Sequence, residues 1–234
     1  MNRLAHLGAL AAFSESAIYV TIVVFVFLIL PGQGLSGPEA LQDPFLVLPA
    51  IARSATLSIF NLHSIVVAVA LLPVVLAVHE RLQPAGVSWL PLATVAGAGA
   101  AVLFLVTGMV DSAALGQLAR SAQPDQSAAA TAFMAVTAVR AAIGYAAIFS
   151  YGIWLLGVNA IGLRHGVLPP LLGWIGLAFG TMGVMAFLVA PLAFIGPMVG
   201  IGWNLGLGVV LLRQTPIVQA IVKDDPDRSG VTET

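Results

Sequence analysis

Glu15, Asp111 and Arg140 stand within or at the ends of long apolar runs, where a charge near the centre of a bilayer costs at least ~2.5 kcal/mol and normally faces a bundle interior or water. Glu15 lies about two turns into the first run, on its cytoplasmic half, between Ser14 and Ser16 and one turn before Tyr19. A carboxyl so placed can carry a proton or contact a cation; it can equally be a packing group hydrogen-bonded to a serine or tyrosine. His63 about two turns into the second run, Asp111 at the end of the third and Arg140 at the start of the fourth fall at related depths on the other side. They can form one polar pocket. An Arg140 to Asp111 ion pair that fixes the bundle is the favoured reading, and binding of an anionic or polar small molecule is the other. Asn204 is a further polar candidate, in the last run.

Several chemistries lose ground on the same residues. Haem in a membrane bundle needs ligands from facing helices at one depth, but His63 and His79 are sixteen residues apart on one helix, about 24 Å. His79 could meet His165 or His6 on the inner side, and this keeps haem open while no cofactor is expected. No metal cluster, nucleophile elbow or metallopeptidase motif is legible, and the chain contains no cysteine. The expectation is a protein without its own catalysis. Nine basic and ten acidic residues give a net charge of −1 with no basic block, which argues against a nucleic-acid partner.

These side chains have to be positioned by six apolar runs, at about 9–30, 56–78, 89–110, 137–161, 171–190 and 195–212. Each approaches the ~20 residues that a helix needs to cross a ~30 Å hydrocarbon core. Backbone polar groups in lipid must be satisfied internally, so the runs read as helices. With 59% hydrophobic and 8% charged residues and a mean hydropathy of +1.02, the expected fold is an all-α integral membrane bundle of six transmembrane helices. Residues 1–213 form that domain and 214–234 a flexible cytoplasmic tail. The first run is too long for a signal peptide and lacks a small-x-small cleavage site, so it is read as a span.

Placing both termini in the cytoplasm puts Arg3, Arg81, Arg164, Arg213, Lys223 and Arg228 inside and Arg53, Arg120 and Arg140 outside, in agreement with the positive-inside rule. The Pro31 to Arg53 segment reads as an external loop with one short interfacial helix, and 112–126 as a second external segment. The proline-free stretch 127–163 can be one helix much longer than a membrane is thick. Pro191 to Pro197 leaves room only for a tight hairpin. In the third run Thr94, Gly97, Ala101, Phe104, Gly108 and Asp111 share an inward face. In the last, Gly196/Gly200 and Gly202/Gly206 are small-xxx-small pairs suited to close approach of another helix.

The stretch Tyr151 to Leu177 carries a basic turn, Arg164-His165-Gly166, followed by Leu168-Pro169-Pro170-Leu171-Leu172-Gly173 at the start of the next run. In this it resembles a bacterial six-helix membrane family, domain-of-unknown-function family 4386. The resemblance covers about half the chain. It implies six helices and a bacterial inner membrane, with Arg164 on the inner side and Pro169 opening a helix, and it transfers no activity and no catalytic residue.

The sequence favours an accessory or scaffold subunit that docks other membrane chains, a second copy of itself, lipids or pigments through its helix faces. A small-molecule or ion carrier using Glu15 and the His63/Asp111/Arg140 group is the alternative, and an intramembrane redox protein comes third.

Overall fold

The computed structural model describes residues 3–35, 40–54, 62–122, 126–186, 188–189 and 192–213. The tail at 214–234 and the first part of the second apolar run, 56–61, lie outside the described residues. Among the described residues the chain is helical and contains no strand. We number the helices α1 (Arg3–Gly32), α2 (Pro44–Arg53), α3 (His63–Leu82), α4 (Leu90–Ser121), α5 (Gln126–Arg164), α6 (Pro170–Met185) and α7 (Leu192–Leu212). Of these, α1, α3, α4, α5 and α7 are long and apolar enough to cross a membrane.

Apart from α2, each helix packs against its neighbours in sequence, and α7 closes on α1. The result is a six-membered ring, α1, α3, α4, α5, α6, α7. Short turns hold the ring together at the end that carries Arg164. Gly86 (φ 65°) and Gly166 (φ 64°) follow α3 and α5 in the left-handed conformation, which glycine adopts without a Cβ clash. Gly162 O accepts from Val167 N at 2.9 Å, closing the C-terminus of α5. α6 then opens at Pro170, one residue after the expected Pro169, which serves as its N-cap.

α5 runs unbroken for 39 residues, about 58 Å at the normal helical rise and far beyond a ~30 Å hydrocarbon core. Its first turns are not left bare. Ala129 and Phe133 are buried with Val47, Leu48 and Ile51 of α2 and Leu115 and Ala119 of α4, so a second apolar cluster caps the far end of the ring. α2 itself starts as the sequence dictates, with Asp43 accepting from Phe45 N at 2.8 Å and Pro44 in the first helical position.

Two boundaries differ from the sequence reading. The 112–126 segment is not a loop over its first half, because α4 continues through Asp111 to Ser121. It does so across a π-helical turn, Asp111–Leu115. There Ser112 Oγ donates to Gly108 O at 2.8 Å, taking a carbonyl that the α-helical ladder would use. α1 has the same device at Phe25–Ile29, where Leu30 N reaches Phe25 O, just ahead of Pro31, which has no N–H to offer Phe27. The fifth run is helical for 16 residues rather than twenty, about 24 Å. Ala186 N closes the last turn on Met182 O.

The close helix approach also lies elsewhere than expected. On α7 the inward face is centred on Trp203 and Leu207, both fully buried. Gly200 and Gly206 face Phe179 and Leu172 of α6, whereas Gly202 is exposed with nothing within 4 Å. The backbones meet instead between α5 and α6. A Cβ placed on Gly152 would stand 2.8 Å from Gly180 O and Val184 N. The outer wall of the ring is apolar, with Leu92, Val95 and Leu171 each more than two-thirds exposed, a surface suited to lipid rather than water.

Candidate functional site

Glu15 is completely buried, and neither carboxyl oxygen has a hydrogen-bond partner among the described residues. The serines that flank it in sequence turn elsewhere: Ser14 Oγ donates to Leu10 O at 2.9 Å and Ser16 Oγ to Ile201 O at 3.2 Å. The packing reading, a carboxyl hydrogen-bonded to serine or tyrosine, is therefore not what the geometry shows. Glu15 is met by Asn204 of α7, Tyr19 of its own helix and Tyr151 of α5. These four side chains come from three helices and converge in the interior of the ring. The Asn204 amide and the Tyr151 hydroxyl are likewise buried without a geometrically formed hydrogen bond. Buried polar groups left in this condition are uncommon and call for an explanation.

Aromatic rings hold this cluster in place. Tyr151 stacks on Trp154, with centroids 5.5 Å apart, and meets Phe179 edge-on at 5.6 Å. Trp154 in turn meets Trp203 at 5.8 Å. Below them a second polar contact is fully satisfied: Trp203 Nε1 donates to Asn159 Oδ1 at 3.1 Å, and Asn159 Nδ2 donates to Leu155 O at 2.8 Å. This pair was not singled out in the sequence. An Asn and a Trp 44 residues apart carry no local signal that they meet.

Above Tyr19 and Tyr151 opens a cavity of about 310 Å³, walled mainly by apolar groups such as Ile22, Val67, Phe104 and Ile148. This is at the lower end of the size range of small-molecule pockets. His63 and Ser64 stand at its upper side. His63 is not two turns into its helix, as the sequence suggested. It is the first residue of α3, following Leu62 in the cap position, and its Nε2 lies 3.2 Å from Ser64 Oγ.

The outer group assembles as anticipated. Arg140 donates to Asp111 at 3.3 Å, with the Asp111 side chain 4% exposed and that of Arg140 36%. Both residues and His63 line a second, smaller cavity of about 140 Å³ beneath the α2 cap. Phe25 and Leu115, each from a π-helical turn, face this same cavity. Such turns are often found at functional sites, and Pro31 and Ser112 were the sequence signals for them. His63 and Val26 belong to the walls of both cavities. Tyr19 and Tyr151 thus line one of two adjoining spaces, and Asp111 and Arg140 the other.

The other histidine of α3, His79, has Nδ1 2.6 Å from Thr94 Oγ1 of α4. Among the described residues no three His, Asp or Glu side chains cluster as a metal site would require. No family model, curated protein or solved structure matches the chain.

Proposed function

We propose that this chain is a small-molecule carrier or binding protein of the membrane, six-spanning with both termini inside, and that its ligand occupies the apolar cavity above Tyr19 and Tyr151. The observation that carries this reading is the juxtaposition of that cavity with the unpartnered Glu15, Asn204 and Tyr151. Of these only Tyr151, with Tyr19, lines the cavity, and Glu15 and Asn204 stand behind the two tyrosines; a bundle built only to hold its own helices gains nothing from an open interior over buried polar groups it does not satisfy. Six spans follow if α6, as a full member of the ring, crosses with the other five. The resemblance to domain-of-unknown-function family 4386 and the distribution of basic residues support a bacterial inner membrane with Arg164 inside.

The scaffold reading that the sequence favoured rested on few central charges, short loops, exposed apolar faces and the Gly-rich α7 as a docking helix. Those glycines are largely spent within the fold, Gly200 on Phe179 and Tyr19, Gly206 on Leu172 and Gly208 on Phe13, which leaves Gly202 alone on the outside. Docking through that helix is weakened, and the interior gains weight. No catalytic role is proposed.

The test is to extract the protein in lipid nanodiscs and identify retained small molecules by mass spectrometry, alongside Val67→Phe, which fills the cavity from a wall residue. Carriage in the cavity requires a stoichiometric molecule in the natural protein and its loss from a folded Val67→Phe variant. Identical content in the two proteins would refute it.

A further inference from the structure

The two cavities adjoin at Val26 and His63, and their walls follow α1 from Tyr19 to Leu30, a length of about 16 Å at the normal rise. One end is apolar and closed by aromatic rings. The other presents a guanidinium. Resting on the reading that the larger cavity holds a ligand, we infer that the two spaces form one elongated site for a single-chain amphiphile with an acidic head group. Its apolar chain lies in the larger cavity, and its carboxylate lies at Arg140 in the smaller one.

Charge and geometry support this assignment. Arg140 makes one contact with Asp111, through one terminal nitrogen, while a guanidinium carries five N–H donors in a planar fork. Donors therefore remain for a second carboxylate, while Asp111, nearly buried, holds one terminal nitrogen of the fork. The exposure of Arg140 keeps that side reachable from outside the bundle. His63, on the wall between the spaces, stands where the head joins the chain. The π-helical turn at Phe25–Ile29 places Phe25 and Val26 against the smaller space, a departure from regular helix where chain and head would meet.

Substrate chemistry then follows from the ends of the site. An alcohol with the same chain would fill the apolar part but forgo the charge-assisted bonds to Arg140.

Quenching of tryptophan fluorescence by fatty acids brominated near the chain terminus tests this, on the full chain in nanodiscs. The background is Trp89→Phe/Trp174→Phe, because Trp89 and Trp174 are the exposed indoles. Trp154, stacked on Tyr151 at the closed end, reports arrival of the bromine. Saturable quenching by the brominated acid is expected, with the matched brominated alcohol binding at least about tenfold more weakly. In Asp111→Asn/Arg140→Gln, which keeps an isosteric neutral pair, acid and alcohol should bind alike. Equal affinities in the parent protein, or a preference for the acid that survives the double substitution, would overturn the head-group assignment while leaving the cavity reading standing. Quenching that is unsaturable, or unchanged by Val67→Phe, would show only partition into the bilayer and overturn the inference together with the cavity reading.

Discussion

Gly152→Ala and Gly144→Ala, two turns apart on α5, make opposite demands on the structure. At Gly152 the added methyl carbon would sit 2.8 Å from Gly180 O and from Val184 N and 3.1 Å from Gly183 C. All three are backbone atoms of α6, so no side chain can rotate aside; the two helices must move apart. Overpacking of this kind costs typically about 1–3 kcal/mol. Separation would also loosen the edge contact of Tyr151 with Phe179, which spans the same interface. At Gly144 nothing lies within 4 Å of the added carbon, and replacing a mid-helix glycine by alanine gains about 0.5–1 kcal/mol of backbone entropy. The entropy gain applies at both mid-helix positions, so the two variants should differ by the overpacking cost, about 1–3 kcal/mol, with Gly144→Ala the more stable. Reversible unfolding in mixed micelles, followed by helix content as denaturing detergent is increased, measures the difference. Equal stability of the two variants would refute the placement of the α5 to α6 contact.

The same assay checks two other contacts. Arg140→Ala leaves the nearly buried Asp111 carboxyl without its cation and should destabilise by about 1–3 kcal/mol, whereas Asp111→Asn/Arg140→Gln should restore most of the loss. Trp203→Phe removes the donor to Asn159 Oδ1 at a fully buried site and should cost about 1–3 kcal/mol. In Trp203→Phe/Asn159→Leu, where neither partner is left unsatisfied, the coupling between the two positions should appear as a loss smaller than the sum of the single substitutions.

Much of the architecture was legible in hydropathy, because a helix in lipid must satisfy its own backbone and a run of apolar residues says where. Of the inward stripe of α4, Gly97, Ala101, Gly108 and Asp111 are buried and Thr94 and Phe104 half-buried, and the unbroken α5 follows from an alanine-rich stretch without proline. Termini were less legible. Where a helix stops in an apolar run depends on single donors and acceptors, such as the Ser112 hydroxyl that opens a π-helical turn and lets α4 run on. The Asp111 to Arg140 pair was foreseeable because opposite charges at one depth in lipid have few other partners. The meeting of Glu15 with Asn204 and Tyr151 was not, since it depends on how α1, α5 and α7 rotate about their axes.

That rotation is set by small residues and aromatic rings acting together, which gives the glycines of this chain a role other than docking. Gly97 admits the Trp154 ring, Gly200 admits Phe179 and Tyr19, and Gly208 admits Phe13. Each glycine faces a ring from a neighbouring helix, so the bundle seats its aromatic groups against bare backbone and keeps them in the interior. Tyr19 is held in this way by Gly200, and Tyr151 by its ring contacts with Trp154 and Phe179. Enlarging Gly200 would press directly on Tyr19 and Phe179, 2.8 Å from an added carbon, and would disturb the floor of the cavity from a helix that does not itself bear the carboxyl. Glycines such as Gly200 are thus tied to the geometry of the interior site, and the stability of the ring and the shape of the cavity rest on the same contacts.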